Sequence, residues 1–185
     1  MSRVAKPALG KGAKPALGKG AKLALGKGAK LGAGIGAKAV YFLNGPNANL
    51  YGLTDQGTYG SDTYAMLQSR CEAAAKRLSI RLSFRQSNSE GQLVDWVQEA
   101  IGKADGLIVN GAGLTYTSIA LLDALLAFPG PVVEVHMSNI YRRESFRHHS
   151  FISKAATGIV AGLGADGYEL AIAAMRRLLD RPPGN

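Results

Sequence analysis

Glu134 and His136 stand two residues apart at the end of the apolar run PVVEVH. On a strand, residues two apart project from the same face, so this spacing sets a carboxylate beside an imidazole. A carboxylate in that position orients the ring and raises its basicity, and histidine is the side chain whose proton exchanges near neutral pH. The competing reading is an edge histidine with an incidental neighbour. Other segments offer complementary groups: Asn44 and Asn47 in LNGPNANL, Asn110 before GAGLTYTS, and Ser138 and Asn139 after His136 supply neutral hydrogen bonds. Arg143 and Arg147, in YRRESFRHH, supply anion binding. The set favours acid–base chemistry. No nucleophile elbow G-x-S-x-G and no phosphate-cradling loop is present.

His148 and His149 follow closely, so a metal has to be considered. Adjacent histidines lack the i, i+4 spacing of a helical zinc pair and no cysteine joins them. They read as part of a hydrogen-bonded loop or an interface, and no metal site is expected. A further candidate is Tyr59, a lone phenol beside Gly60 in the polar, glycine-rich stretch LYGLTDQGTYGSD. A free phenol has a pKa of about 10, so it needs a shift of some two or three units, roughly 3 to 4 kcal/mol, to act as a base near neutrality.

Five short apolar runs must position these groups: AVYFL (39–43), IRLSFRQ (80–86), GLIVN (106–110), PVVEVH (131–136) and TGIVAGL (157–163). Four amphipathic helical patterns separate and follow them. TYAMLQSRCEAAAKRL follows the cap residues Ser61 and Asp62, EGQLVDWVQEAIGK follows Asn88 and Ser89, TSIALLDALLAF follows Thr115, and GYELAIAAMRRLLD ends before Pro182 and Pro183. Strict alternation with near-continuous apolar strands predicts an α/β fold, a flavodoxin-like doubly wound three-layer sandwich with a five-stranded parallel sheet. Ligands in such sheets bind beyond the carboxyl ends of the strands, near the switch between the first and third. The three unusual segments lie at those ends, so the site is a composite of three loops.

Charge divides the chain in two. Residues 1–40 hold Arg3, eight lysines and no acid, leaving 13 basic and 13 acidic residues in the neutral remainder. From Ala5 the chain repeats AKPALGKG, AKPALGKG, AKLALGKG and AKLGAGIG. Two glycines in each of the first three units, with Pro7 and Pro15, work against a helix, and the apolar residues are too few and too small for a core. Residues 1–38 therefore read as a flexible tail and residues 39–185 as one domain. Three roles for the tail stay open: a solubilising linker, an electrostatic arm for an anionic partner such as nucleic acid or a membrane surface, and a targeting peptide.

Cys71, the only cysteine, lies in a helical pattern and reads as a small core residue in a reducing, cytoplasmic compartment. No apolar run reaches the roughly 18 residues of a membrane span. GAGIGA precedes the first strand, so it is no dinucleotide fingerprint. GLGADG lies between a strand and a helix, but no further strand follows to carry a ribose-binding acid. Its glycines read as a tight turn.

The segments LNGPNANL, TYGSD, FRQSNSEGQLVDWVQEA, TSIALLDAL, PVVEVHMSNIYRRESFRHHS and GLGADGY closely resemble the type II 3-dehydroquinate dehydratases, from about Val40 to Met175. The resemblance implies the flavodoxin-like fold and a lyase of the shikimate or quinate pathways. Such an enzyme converts 3-dehydroquinate to 3-dehydroshikimate by anti elimination, with no metal or organic cofactor. It implies homo-oligomers, trimers arranged as dodecamers. By the same resemblance, Tyr59 on a lid loop is the base, Asn47 holds the water or oxygen at the enolate, and His136 is the acid supported by Glu134. Asn110 lies near the leaving hydroxyl, and the backbone N–H groups of Met137 and Ser138 bind the carboxylate. Arg147 and, from a neighbouring subunit, Asp123 contact ring hydroxyls.

Two positions depart from the family pattern. Thr54 stands where the family has a lid arginine, and Tyr116 stands where it has a substrate-binding histidine. Arg143 matches a second family arginine close to the tyrosine, and one cation within about 4 to 6 Å lowers a pKa by 1 to 3 units. The expectation is an enzyme, slowed by these departures. The alternative is a catalytically impaired oligomer that works as a binding or assembly protein through its basic tails, with avidity from their number.

Overall fold

The computed structural model describes residues 37–53 and 61–182. The repeat tail up to residue 36 and the segment 54–60, with Thr54 and Tyr59, lie outside the described residues. Five strands, β1 (Lys38–Asn44), β2 (Ile80–Gln86), β3 (Gly106–Asn110), β4 (Val132–His136) and β5 (Gly158–Ala161), form one sheet. All pairings are parallel and the order is β2-β1-β3-β4-β5. This is the flavodoxin-like arrangement that the alternating pattern predicts, with the switch point between β1 and β3.

Four helices cover the sheet: α1 (Tyr64–Arg77), α2 (Glu90–Ala100), α3 (Ile119–Ala127) and α4 (Gly164–Leu179). Val40, Phe42, Ile108, Val133 and Val135 form one core with α1 and α4, while Leu43, Leu107, Val109 and Val132 form a second with α2 and α3. The central strands β3 and β4 are buried at every position, because both of their faces are covered. Phe42 stacks on Tyr168 at 4.8 Å between centroids, which closes the α4 side of β1. Truncating such a buried ring to alanine costs about 3–5 kcal/mol.

The helix starts differ from the sequence expectation in informative ways. Thr63, not Ser61 or Asp62, caps α1 by accepting from Met66 N at 3.3 Å. Asp62 is instead engaged by Arg70 at 2.8 Å, which also reaches Asp166 and Glu169 on α4. Ser89 caps α2 as expected. Helix α3 begins two residues later than the pattern suggests, because Ser118 takes the cap and Thr115 is buried in a 3₁₀ turn, Ala112–Tyr116. Helix α4 begins at Gly164, inside GLGADG. Gly162 and Gly164 adopt φ of 88° and 57°, and their N–H groups bond the carbonyls of His136 and Met137. The glycine motif is thus a structural turn that ties α4 to the end of β4.

Candidate active site

Three loops leave the carboxyl ends of β1, β3 and β4 and meet over the switch point. The first, Gly45–Asn47, packs against the second through its main chain: Gly45 N donates to Asn110 O at 2.8 Å. Asn47 then turns left-handed, at φ 67°, and starts the 3₁₀ turn Ala48–Leu50. Asparagine is among the few residues that adopt this conformation readily. Its N–H donates to Asn88 Oδ1 at 2.9 Å, which fixes the turn against the start of α2.

Between these loops lies a cavity of about 430 Å³. Asn47, Asn110, Tyr116, His136, Met137, Ser138, Arg143 and Arg147 all line it, as do Leu50 and Tyr51. Of the eleven residues given a catalytic or substrate-binding role in the sequence, eight thus share one pocket. Glu134 lies beneath it, fully buried, with its Oε1 2.7 Å from His136 Nε2. Asp123 does not reach the cavity; it is exposed on α3, on a stripe with Ile119 and Leu126, which are 58% and 59% exposed. A larger, more open hollow of about 680 Å³ adjoins the site, sharing Met137, Ser138 and Arg143, but it holds neither His136 nor Asn110.

The electrostatics suit proton transfer and anion binding. Burial opposes the charge on Glu134, but donors from His136, Ser153 and Ser150 outweigh it and hold its pKa below the ordinary carboxylate value. With Nε2 engaged by Glu134, Nδ1 is the ring nitrogen left for exchange. Tyr116 lies nearly parallel to the His136 ring, 6.4 Å away, with the Arg147 guanidinium 5.7 Å from its own ring centre. Burial raises the Tyr116 pKa, so the phenol is neutral at physiological pH. Arg143 Nη1 is 3.4 Å from Ser138 Oγ.

Asn110 is more committed than the sequence suggests. Its Nδ2 donates to Tyr51 at 2.8 Å and to Tyr168, and its Oδ1 accepts from Ala112 N. Tyr168 in turn donates to Asn44 Oδ1 at 3.0 Å. Tyr51, Tyr168, Ser150 and Ser153 were not singled out by sequence reasoning. The two serines stand in SFISKAAT, where nothing local marks them; only their distance to Glu134 in the fold does. His148 and His149 serve the loop: His148 Nε2 donates to Arg143 O, and His149 packs edge-on against Phe151. Among the described residues no group of three His, Cys, Asp or Glu side chains could hold a metal ion. Nor is any described helix long and apolar enough to cross a membrane. Cys71 is buried, its thiol pushed up to about 12, which suits a core residue.

A doubly wound parallel sheet with a histidine–carboxylate pair, two arginines and an asparagine-rich turn over its switch point defines an α/β acid–base site. Residues 38–176 match the model of the dehydroquinase class II family, and the chain belongs to that family. It is 51% identical over 133 residues to the 3-dehydroquinate dehydratase of Bartonella tribocorum, covering 72% of this chain and 89% of that protein. It is 48% identical over 139 residues to 3-dehydroquinate dehydratase 2 of Agrobacterium fabrum, 75% and 95% of the two chains. Among solved structures, the type II dehydroquinase from Propionibacterium acnes superposes with a TM-score of 0.73 at 37% identity, covering 76% of this chain and 97% of that one.

Proposed function

We propose that the pocket dehydrates 3-dehydroquinate to 3-dehydroshikimate by anti elimination through an enolate. The observation that carries the reading is the buried Glu134–His136 pair opening into a cavity shared with Asn47, Asn110 and two arginines. The reaction needs a base for the proton beside the ketone, a stabiliser for the enolate oxygen and an acid for the departing hydroxyl. Tyr59, ionised, takes the proton. Asn47 holds a water or the oxygen at the enolate. His136, steadied by Glu134, delivers a proton to the leaving hydroxyl as the carbon–oxygen bond breaks, so water departs and the enone forms.

In this reading the substrate carboxylate sits on the Met137 and Ser138 N–H groups, Arg147, Tyr116 and Asn110 bind ring hydroxyls, and Arg143 lowers the Tyr59 pKa. Asp123, with the apolar residues flanking it on α3, supports a contact from a neighbouring subunit, in trimers that assemble further. The tail contacts an anionic partner by charge, independently of the pocket. The retained proton-transfer set favours the enzyme over a purely binding oligomer.

The test is the absorbance rise from enone formation, with full-length protein and with the chain lacking residues 1–38. Turnover is expected in both, and its loss in Tyr59→Phe and in His136→Ala. No turnover from folded, oligomeric protein would overturn the reading.

A further inference from the structure

Glu134 is 0% exposed and its carboxylate accepts from three side chains. His136 Nε2 and Ser150 Oγ, both at 2.7 Å, donate to Oε1, and Ser153 Oγ donates to Oε2. Two of these donors are neutral hydroxyls from the segment that follows the arginine-bearing loop. The direction of the Ser150 hydroxyl is set by the backbone. Ser153 N donates to Ser150 Oγ at 3.0 Å, so the Ser150 hydroxyl accepts there and points its own hydrogen at Glu134. A carboxylate that receives this hydrogen on Oε1 is an acceptor toward His136 as well.

Residues 150–153, which carry both serines, are held in place by two further contacts. Phe151 N donates to Thr115 O at 2.9 Å, one residue before Tyr116. Ile152 is fully buried against Gly111, where an added Cβ would meet its Cδ1 at 2.4 Å. The serines therefore sit on a segment held at two points against the loop that follows β3.

We propose that Ser150 and Ser153 are positioning residues of the active site. Their hydroxyls hold Glu134 as an anionic acceptor, which fixes His136 with a proton on Nε2 and reserves Nδ1 for exchange with substrate. A buried carboxylate without such donors would recover its proton and lose its hold on the imidazole. This rests on the dehydratase reading for its kinetic consequence, but not for its structural one. The titratable and charged groups facing the pair are Tyr116, stacked on His136, with Arg143 and Arg147 beside it.

The experiment compares wild type with Ser150→Ala/Ser153→Ala by two readouts. The first is solid-state ¹⁵N NMR of histidine-labelled protein, in which the chain's three histidines are separated by the spectrum of His136→Ala. The second is the pH profile of kcat. Expected for the double variant are a mixture of His136 tautomers, a roughly tenfold fall in kcat with KM little changed, and a shifted acidic limb. Ser153→Thr, which keeps a hydroxyl, is expected to retain the wild-type tautomer. An unchanged tautomer and pH profile in the double variant would overturn the proposal. Should that variant fail to fold, Ser153→Ala alone is judged by the same two criteria. Absent turnover in wild type would sink the dehydratase reading and leave the tautomer measurement to decide the serines' role.

Discussion

A Cβ placed on Gly45 would lie 2.4 Å from the carbonyl oxygen of Gly111, closer than any real side chain tolerates. The first two site loops therefore touch backbone to backbone, and their separation is set by the absence of a side chain. The Gly45 N to Asn110 O bond completes the contact.

Gly45→Ala should force the two loops apart. We expect a loss of about 1–3 kcal/mol in stability, the usual cost of overpacking a rigid site. Activity should fall more than stability does, because Asn47 and Asn110 shift relative to His136. Urea unfolding and steady-state kinetics on the same preparation check this. A fully active, equally stable variant would show that the loops separate without consequence.

Tyr168→Phe removes one hydroxyl that both accepts from Asn110 and donates to Asn44. Two buried amides then lose a partner, and the expected destabilisation is about 1–3 kcal/mol with the ring packing against Phe42 retained. Thermal and urea midpoints measure it.

Tyr116→Phe keeps the ring over His136 and removes only the phenol. If that hydroxyl binds the substrate ring, KM should rise about fivefold with kcat nearly unchanged, the equivalent of one ordinary hydrogen bond of about 1 kcal/mol. An equal fall in kcat would assign the hydroxyl to the transition state instead.

The depressed pKa of Glu134 has a definite sign in stability. A carboxylate whose folded pKa lies below its ordinary value of 4.5 stabilises the fold above that value. The contribution is lost as pH falls through the folded pKa. Glu134→Gln should therefore be less stable than wild type at pH 7, and the gap should narrow below about pH 4.5. Denaturant titrations at pH 7, 5 and 3 test this, and a gap that widens in acid would contradict it.

Cys71, with its thiol pushed up to about 12 and its side chain buried, should resist alkylation in the native protein at pH 8. Mass spectrometry should show one adduct only after unfolding.

Much of this was legible in the sequence, for reasons visible at particular residues. The strands declare themselves because β3 and β4 are apolar at nearly every position, and Glu134 with His136 stands out as the polar pair at the end of such a run. Helix starts were less legible. Ser61, Asp62 and Thr63 are all good caps in isolation, and only the long-range attraction of Arg70 on α1 decides that Asp62 is used elsewhere. The partners of Asn110 and Glu134 were hidden because Tyr168 is 58 residues away and Ser153 is 19 away, with no local pattern to reveal them.

Four peptide-to-peptide bonds tie the pocket's loops to their surroundings: Asn110 O with Gly45 N, Thr115 O with Phe151 N, His136 O with Gly162 N and Met137 O with Gly164 N. A frame of that kind is indifferent to the identity of the side chains that line it. Divergence in such a lineage is therefore expected to accumulate at the rim as retuned affinity, while the polypeptide scaffold stays superposable.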